Sequence, residues 1–168
     1  MERLIINGLR KWKDSKEHKP LITIPDDMKF VRDTTYGKVI LIGRHTFEYT
    51  FNAKPLPNRT VVVVTKDQKY KADGVLIAHS CVEGIELARE NSEDIYILGG
   101  HQLCHDLLPI CEEVHVTYVD YAYSADSWFP NLDKKPEWVL VDESEEQTHF
   151  DVVYYFRRYL KRLDYREP

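Results

Sequence analysis

Residues 94–100 read Asp-Ile-Tyr-Ile-Leu-Gly-Gly, an apolar strand that runs into two glycines. Ile95, Tyr96, Ile97 and Leu98 form an unbroken apolar run, the pattern of a strand buried on both faces. The run breaks on Gly99 and Gly100, and residues 101–108 (HQLCHDLL) follow with helical spacing. A strand that ends in two glycines at a helix start lets a flat or phosphorylated ligand approach the backbone, where the first helix amides lack intrahelical partners. Glycine pairs also close ordinary turns. Two further segments, IPDDMKF (24–30) and GRHTFE (43–48), supply complementary chemistry.

Outward from that stretch, short apolar strands alternate with short helices. Strands are predicted over 3–8, 38–42, 59–65, 74–78, 113–120, 138–141 and 152–160, with Val61 to Val64 uninterrupted. Helices are predicted over 26–35, opened by Pro25, over 45–49, and over 81–90 with Ser80 as N-cap. Strand–helix–strand units come first and antiparallel strands return at the C-terminus, which implies an α/β mixed sheet with helices on both faces. Ligands of such sheets sit at the carboxyl ends of the parallel strands. Those ends carry Gly43-Arg44-His45-Thr46, Thr65-Lys66, His79-Ser80 and Gly99-Gly100, a set of glycines, hydroxyls and cations suited to a phosphate-bearing ligand.

At 168 residues the chain is long enough for one domain, expected to span residues 1–168. A formal net charge of -5 argues against a nucleic-acid surface. No apolar run approaches the roughly 20 residues a membrane helix needs, and the short Leu4-Ile5-Ile6 stretch after Arg3 is not expected to act as a signal peptide. Cys81, Cys104 and Cys111 have no metal-ligand spacing and fit buried thiols in a reducing compartment. A cytoplasmic monomer is the expectation.

Asp26 and Asp27 stand at a helix start, where acids complement the helix dipole. The functional alternative sends Asp27 along the apolar face with Met28 and Val31, where desolvation raises a carboxyl pKa and lets it relay a proton near neutral pH. Gly43-Arg44-His45-Thr46 offers amides, a hydroxyl and a cation to a pyrophosphate, or is a turn glycine beside a surface arginine. Arg59, delivered by the rigid turn Pro55-Leu56-Pro57-Asn58, is either a bidentate clamp for a substrate carboxylate or an ordinary strand-edge cation. His101 and His105 share one helix face, but no third ligand stands nearby, and no metal site is expected. The aromatic and β-branched content of 152–160 favours a final strand over an amphipathic membrane helix.

Taken together, IPDDMKF, TTYGKVILIGRHTFE, PLPNRTVVVVT, DIYILGG, VHVTYVD and ADSWFPNLD resemble the dihydrofolate reductase family in order and spacing across about residues 22–160. The resemblance implies an eight-stranded, mostly parallel mixed sheet and hydride transfer from NADPH to dihydrofolate, supplying tetrahydrofolate for one-carbon chemistry. It implies that dihydrofolate and antifolates such as methotrexate or trimethoprim bind. By position, Asp27 resembles the acid that binds the pterin and assists N5 protonation, and Thr117 the threonine bonded to that acid. Ile5, Ile6, Asn7 and Leu98 resemble pterin-site residues, Met28, Val31 and Leu56 walls for the rest of folate, and Arg59 the arginine on the glutamate carboxylate. Asn7 also resembles a cofactor-site residue. Gly43, Arg44, His45 and Thr46 resemble the first cofactor segment, Thr65, Lys66, His79 and Ser80 the adenosine-phosphate side, and Gly99, Gly100, His101, Gln102 and Leu103 the second glycine turn.

The chain departs from the family mainly in residues 8–23 (GLRKWKDSKEHKPLIT), where Ile22 stands in place of a common tryptophan. Asn7 replaces a small residue and Cys104 a common tyrosine. The charged front segment 9–23 is expected to close poorly over the nicotinamide. Two other readings stay open: a reductase of the same fold acting on another pterin or a pyrimidine, and a reductase-like binding or structural domain without catalysis.

Overall fold

A computed structural model of the chain describes residues 3–9, 15–16, 19–20, 25–99, 101–119, 132–149 and 152–162. Gly100 and Ile22 lie outside the described residues, and Ile5, Ile6, Asn7, Asp27 and His101 are placed by backbone alone. In chain order the elements begin with β1 (Arg3–Leu9), the short pair β2 (Ser15–Lys16) and β3 (Lys19–Pro20), and α1 (Pro25–Thr35). Next come β4 (Val39–Gly43), α2 (Arg44–Thr50), β5 (Thr60–Val64), β6 (Leu76–Ala78) and α3 (Cys81–Arg89). β7 (Asp94–Ile97), α4 (His101–Leu107) and β8 (Glu113–Val119) follow, then β9 (Trp138–Glu143), β10 (Gln147–His149) and β11 (Val152–Lys161).

The main sheet runs β10-β11-β8-β1-β7-β4-β5-β6, with β9 also paired to β11. The five pairs from β8 to β6 are parallel, and β11 turns antiparallel to β8, β9 and β10. The sheet is therefore mixed and mostly parallel, as expected. It has nine strands where eight were expected, because the polar Gln147–His149 segment pairs with Val152–Tyr154. The charged front segment contains the antiparallel pair β2–β3, and β3 lies beside α2.

Side chains alternate between two cores, as period-two strands require. Val39, Leu41, Val62, Ile95, Ile97, Val114 and Val116 face α3 and α4, where Ile85, Ala88, Leu103 and Leu107 meet them. Ile40, Ile42, Val61, Val63 and Leu98 face the other way, toward Val31 of α1 and Phe47 of α2. Helices thus cover both faces. Each such aliphatic side chain contributes about 1.5–3 kcal/mol relative to its exposed state.

Helix α3 comes closest to the sheet at Gly84, where a Cβ would stand 3.0 Å from Leu41 Cδ1 and 3.1 Å from Val64 Cγ2. Its start is closed by its own side chains: Ser80 Oγ accepts the Glu83 N–H at 3.1 Å, and Glu83 accepts the His79 N–H at 3.0 Å. At the amino ends of β4 and β7, Lys38 pairs with Asp94 at 3.0 Å. Among the described residues no helix is long and apolar enough to cross a membrane.

Candidate functional site

The chain leaves β1 for β4, two places away, continues outward through β5 and β6, then returns as β7 between β1 and β4. The connections reverse there, so a crevice opens beyond the carboxyl ends of β4 and β7. At that place the Gly43 N–H donates to the Gly99 carbonyl at 3.2 Å. Gly99 adopts φ +64, and a Cβ on it would sit 3.3 Å from Thr46 Oγ1. The bond ties the two turns together, and Gly99 leaves beside the Thr46 hydroxyl a space that a side chain would fill.

Helix α2 starts from Gly43 with no side-chain cap and no acid in its first turn, unlike the capped α3. α4 likewise has no acid in its first turn. The unneutralised first amides of both helices suit an anionic group. This donor set fits the phosphates of a dinucleotide.

Arg44 does not stand free. Its Nε donates to Glu48 at 3.0 Å, an Nη donates to Asp67 at 3.2 Å, and its guanidinium lies 4.7 Å from the Tyr70 ring centre. Glu48 raises the Arg44 pKa through that bond. Burial, then the neighbouring and hydrogen-bonded Glu48, raises that of Tyr70. Lys66 is exposed, and His79 Nδ1 lies 3.0 Å from the Thr65 carbonyl oxygen. His45 is exposed and stacks on Tyr49. Gln102 donates to Asp106 at 2.7 Å, and Leu103 is buried in the core, which leaves only its backbone for a ligand.

On the opposite side of the sheet from α3 and α4, α1 carries Asp27, Met28 and Val31. Phe30, one helical turn after Asp27, packs against His115 at 5.2 Å and Phe156 at 6.2 Å between ring centres. Thr117, 2% exposed, follows His115 by two residues and pairs across with Phe156, so it shares the face that α1 covers. Met28 is half-buried, Val31 and Leu98 are buried, and Leu56 packs against the same core. The fold brings the helix of Asp27 to the strand of Thr117. Ile5, Ile6 and Asn7 lie on β1, beside Tyr96 and Ile97 of β7 and Glu113, Val114 and His115 of β8.

Arg59 is fixed. Nε donates to the buried Thr35 Oγ1 at 2.9 Å, and the two terminal nitrogens donate to the carbonyls of Pro57 and Arg32. Thr35 Oγ1 in turn donates to the Val31 carbonyl at 2.7 Å. One further N–H on each terminal nitrogen has no partner among the described residues and is available to an acceptor such as a carboxylate.

The dihydrofolate reductase family profile matches residues 15–161. This chain belongs to the dihydrofolate reductase family. A dihydrofolate reductase of Neisseria meningitidis serogroup B is 30% identical over 139 residues, covering 80% of this chain and 84% of that protein. One of Staphylococcus haemolyticus is 33% identical over 140 residues, with 81% of each covered. A solved dihydrofolate reductase of Enterococcus faecalis, complexed with NADP(H) and RAB-propyl, superposes with a TM-score of 0.82 at 27% identity, covering 95% of this chain and 96% of that one.

Within this dihydrofolate reductase fold, further residues support the site. Thr35 orients Arg59, and Glu48, Asp67 and Tyr70 surround Arg44. The i,i+4 spacing of Arg44 and Glu48 was a usable signal. The other three contacts need the folded topology. Among the described residues, no group of three or more His, Cys, Asp or Glu side chains could hold a metal ion.

Proposed function

We propose that this chain reduces 7,8-dihydrofolate to 5,6,7,8-tetrahydrofolate with NADPH. The observation that carries this reading is the Gly43–Gly99 contact at the switch point of a dihydrofolate reductase fold, with an uncapped helix start beside it. Bound there, the cofactor supplies the hydride that adds to C6 of the pterin. The residues do the rest. Gly43, His45, Thr46, Gly99, Gly100 and His101 present amides and a hydroxyl to the pyrophosphate side. Arg44, Thr65, Lys66, His79 and Ser80 receive the adenosine ribose and its phosphate.

Asp27, one turn before Phe30 on α1, holds the pterin amide edge and keeps a proton available for N5, and Thr117 orients it. Ile5, Ile6, Asn7 and Leu98 flank the ring. Met28, Val31 and Leu56 bury the apolar middle of the substrate, and Arg59 pairs its glutamate carboxylate. Antifolates that mimic the pterin take the same place. The chain works as one domain and as a monomer in the cytoplasm.

The test is the loss of near-ultraviolet NADPH absorbance when dihydrofolate is added, with and without methotrexate. The expected result is loss of absorbance that methotrexate abolishes. No loss with folded, NADPH-binding protein overturns the proposed reaction.

A further inference from the structure

We propose that Asp67 sets the choice between phosphorylated and unphosphorylated nicotinamide dinucleotides at this site. The inference rests on the function proposed above and concerns only the ribose 2′ position. In dinucleotide sites, a carboxylate accepts a hydrogen bond from a ribose 2′-hydroxyl, and an arginine receives a 2′-phosphate. Here the two chemistries are present together and bonded to each other. Asp67 Oδ2 lies 3.2 Å from the terminal nitrogen of Arg44.

Asp67 is built into its place. Its Oδ1 accepts the Lys69 N–H at 3.0 Å, its N–H donates to Thr65 Oγ1 at 3.2 Å, and its carbonyl accepts the Tyr70 N–H at 3.1 Å. Tyr70, delivered by that turn, lies against the guanidinium whose other side chain partner is Glu48. One cation therefore meets two carboxylates. The three side chains are 35%, 30% and 44% exposed for Arg44, Glu48 and Asp67, so a ligand can reach them.

A 2′-phosphate arriving at Arg44 has to separate Asp67 from the guanidinium or share it, and meets like-charge repulsion from Asp67 in either case. A 2′-hydroxyl has no such conflict, because it donates to Asp67 while the ion pair stays closed. The exposed Lys66 beside Asp67 supplies a cation for the phosphate. The site thus takes both cofactors, and Asp67 narrows the gap between them.

The experiment measures dissociation constants for NADPH and NADH by fluorescence titration, on the intact chain and on Asp67→Asn, alongside NADPH-dependent dihydrofolate turnover. Asn retains an acceptor for the Lys69 amide, so the turn survives. The expected result is tighter NADPH binding and weaker NADH binding in the variant. The ratio of the two constants should move by roughly tenfold or more, the value of a hydrogen bond to a charged group. Asp67→Ser removes the same charge and must move the ratio in the same direction. An unmoved ratio, weaker NADPH binding, or equal weakening of both cofactors overturns the inference while leaving the proposed function standing if turnover is seen. Failure of the intact chain to bind either cofactor overturns both.

Discussion

Glu113 opens β8 almost wholly buried, and two donors converge on its Oε1: His115 Nε2 at 3.0 Å and Arg158 Nε. The hydrogen bond from His115, reinforced by that from Arg158, outweighs burial and holds its pKa at about 2 instead of 4.5. Because the folded value lies below the unfolded one, the carboxylate stabilises the fold fully above pH 4.5. That stabilisation is lost as pH falls toward 2. At about 1.4 kcal/mol per pH unit the difference corresponds to about 3 kcal/mol. Arg158 is 42% exposed, and solvent screening reduces this to about 2 kcal/mol. Glu113→Gln, which keeps the volume, should therefore destabilise by about 2 kcal/mol at pH 7. The gap to the parent should shrink below pH 4.5, with about half or more gone near pH 3. Urea unfolding at a series of pH values reads both quantities. A variant as stable as the parent at pH 7, or a gap that stays constant down to pH 2.5, would refute the reasoning.

Three other perturbations test the site. Asp27→Asn should lower kcat for dihydrofolate at neutral pH by about 10²–10⁴-fold with NADPH binding nearly intact; unchanged turnover would remove Asp27 from proton delivery. Arg59→Lys keeps the charge but loses the planar fork that Thr35, Pro57 and Arg32 hold in place. KM for dihydrofolate should rise by roughly tenfold or more, with a smaller change in kcat, and steady-state kinetics showing an unaltered KM would contradict a carboxylate clamp. Gly99→Ala forces a side chain into φ +64 and to 3.3 Å from Thr46 Oγ1. It should cost about 1–2 kcal/mol of stability and weaken NADPH binding; calorimetry and titration showing neither would mean the cradle has room to spare.

Much of the sheet is legible in the sequence because its strands are buried on both faces. Val61 to Val64 and Val39 to Ile42 have no polar residue to hide their character, and Ser80 announces the start of α3 as its N-cap. What escapes is the chemistry carried by polar segments. Gln147–His149 and the β2–β3 pair consist of residues that mark loops as often as strands, and only their partners make them strands. β6 begins at Leu76, two residues after the predicted start, because Gly74 adopts φ +76 and does not extend the strand. In the site, Asp27, Arg59 and the glycine turns stand out by type and spacing. The contacts of Arg59 with Thr35 and of Arg44 with Asp67 link residues more than twenty positions apart, and no local pattern announces them.

The first strand of the chain ends up in the middle of the sheet, gripped in parallel on one side by β7 and on the other by β8. Those partners begin at residues 94 and 113, so during synthesis β1 waits for most of the chain before it can take its place. Contacts of such long range close slowly, and until they close the carboxyl-end crevice lacks one of its walls. A ribosome-bound fragment ending before β7 would hold β4, β5 and β6 with neither neighbour of β1. Assembly of the pterin-facing half should therefore be the last and slowest event in folding, and the step at which a bound ligand most improves the yield of native protein.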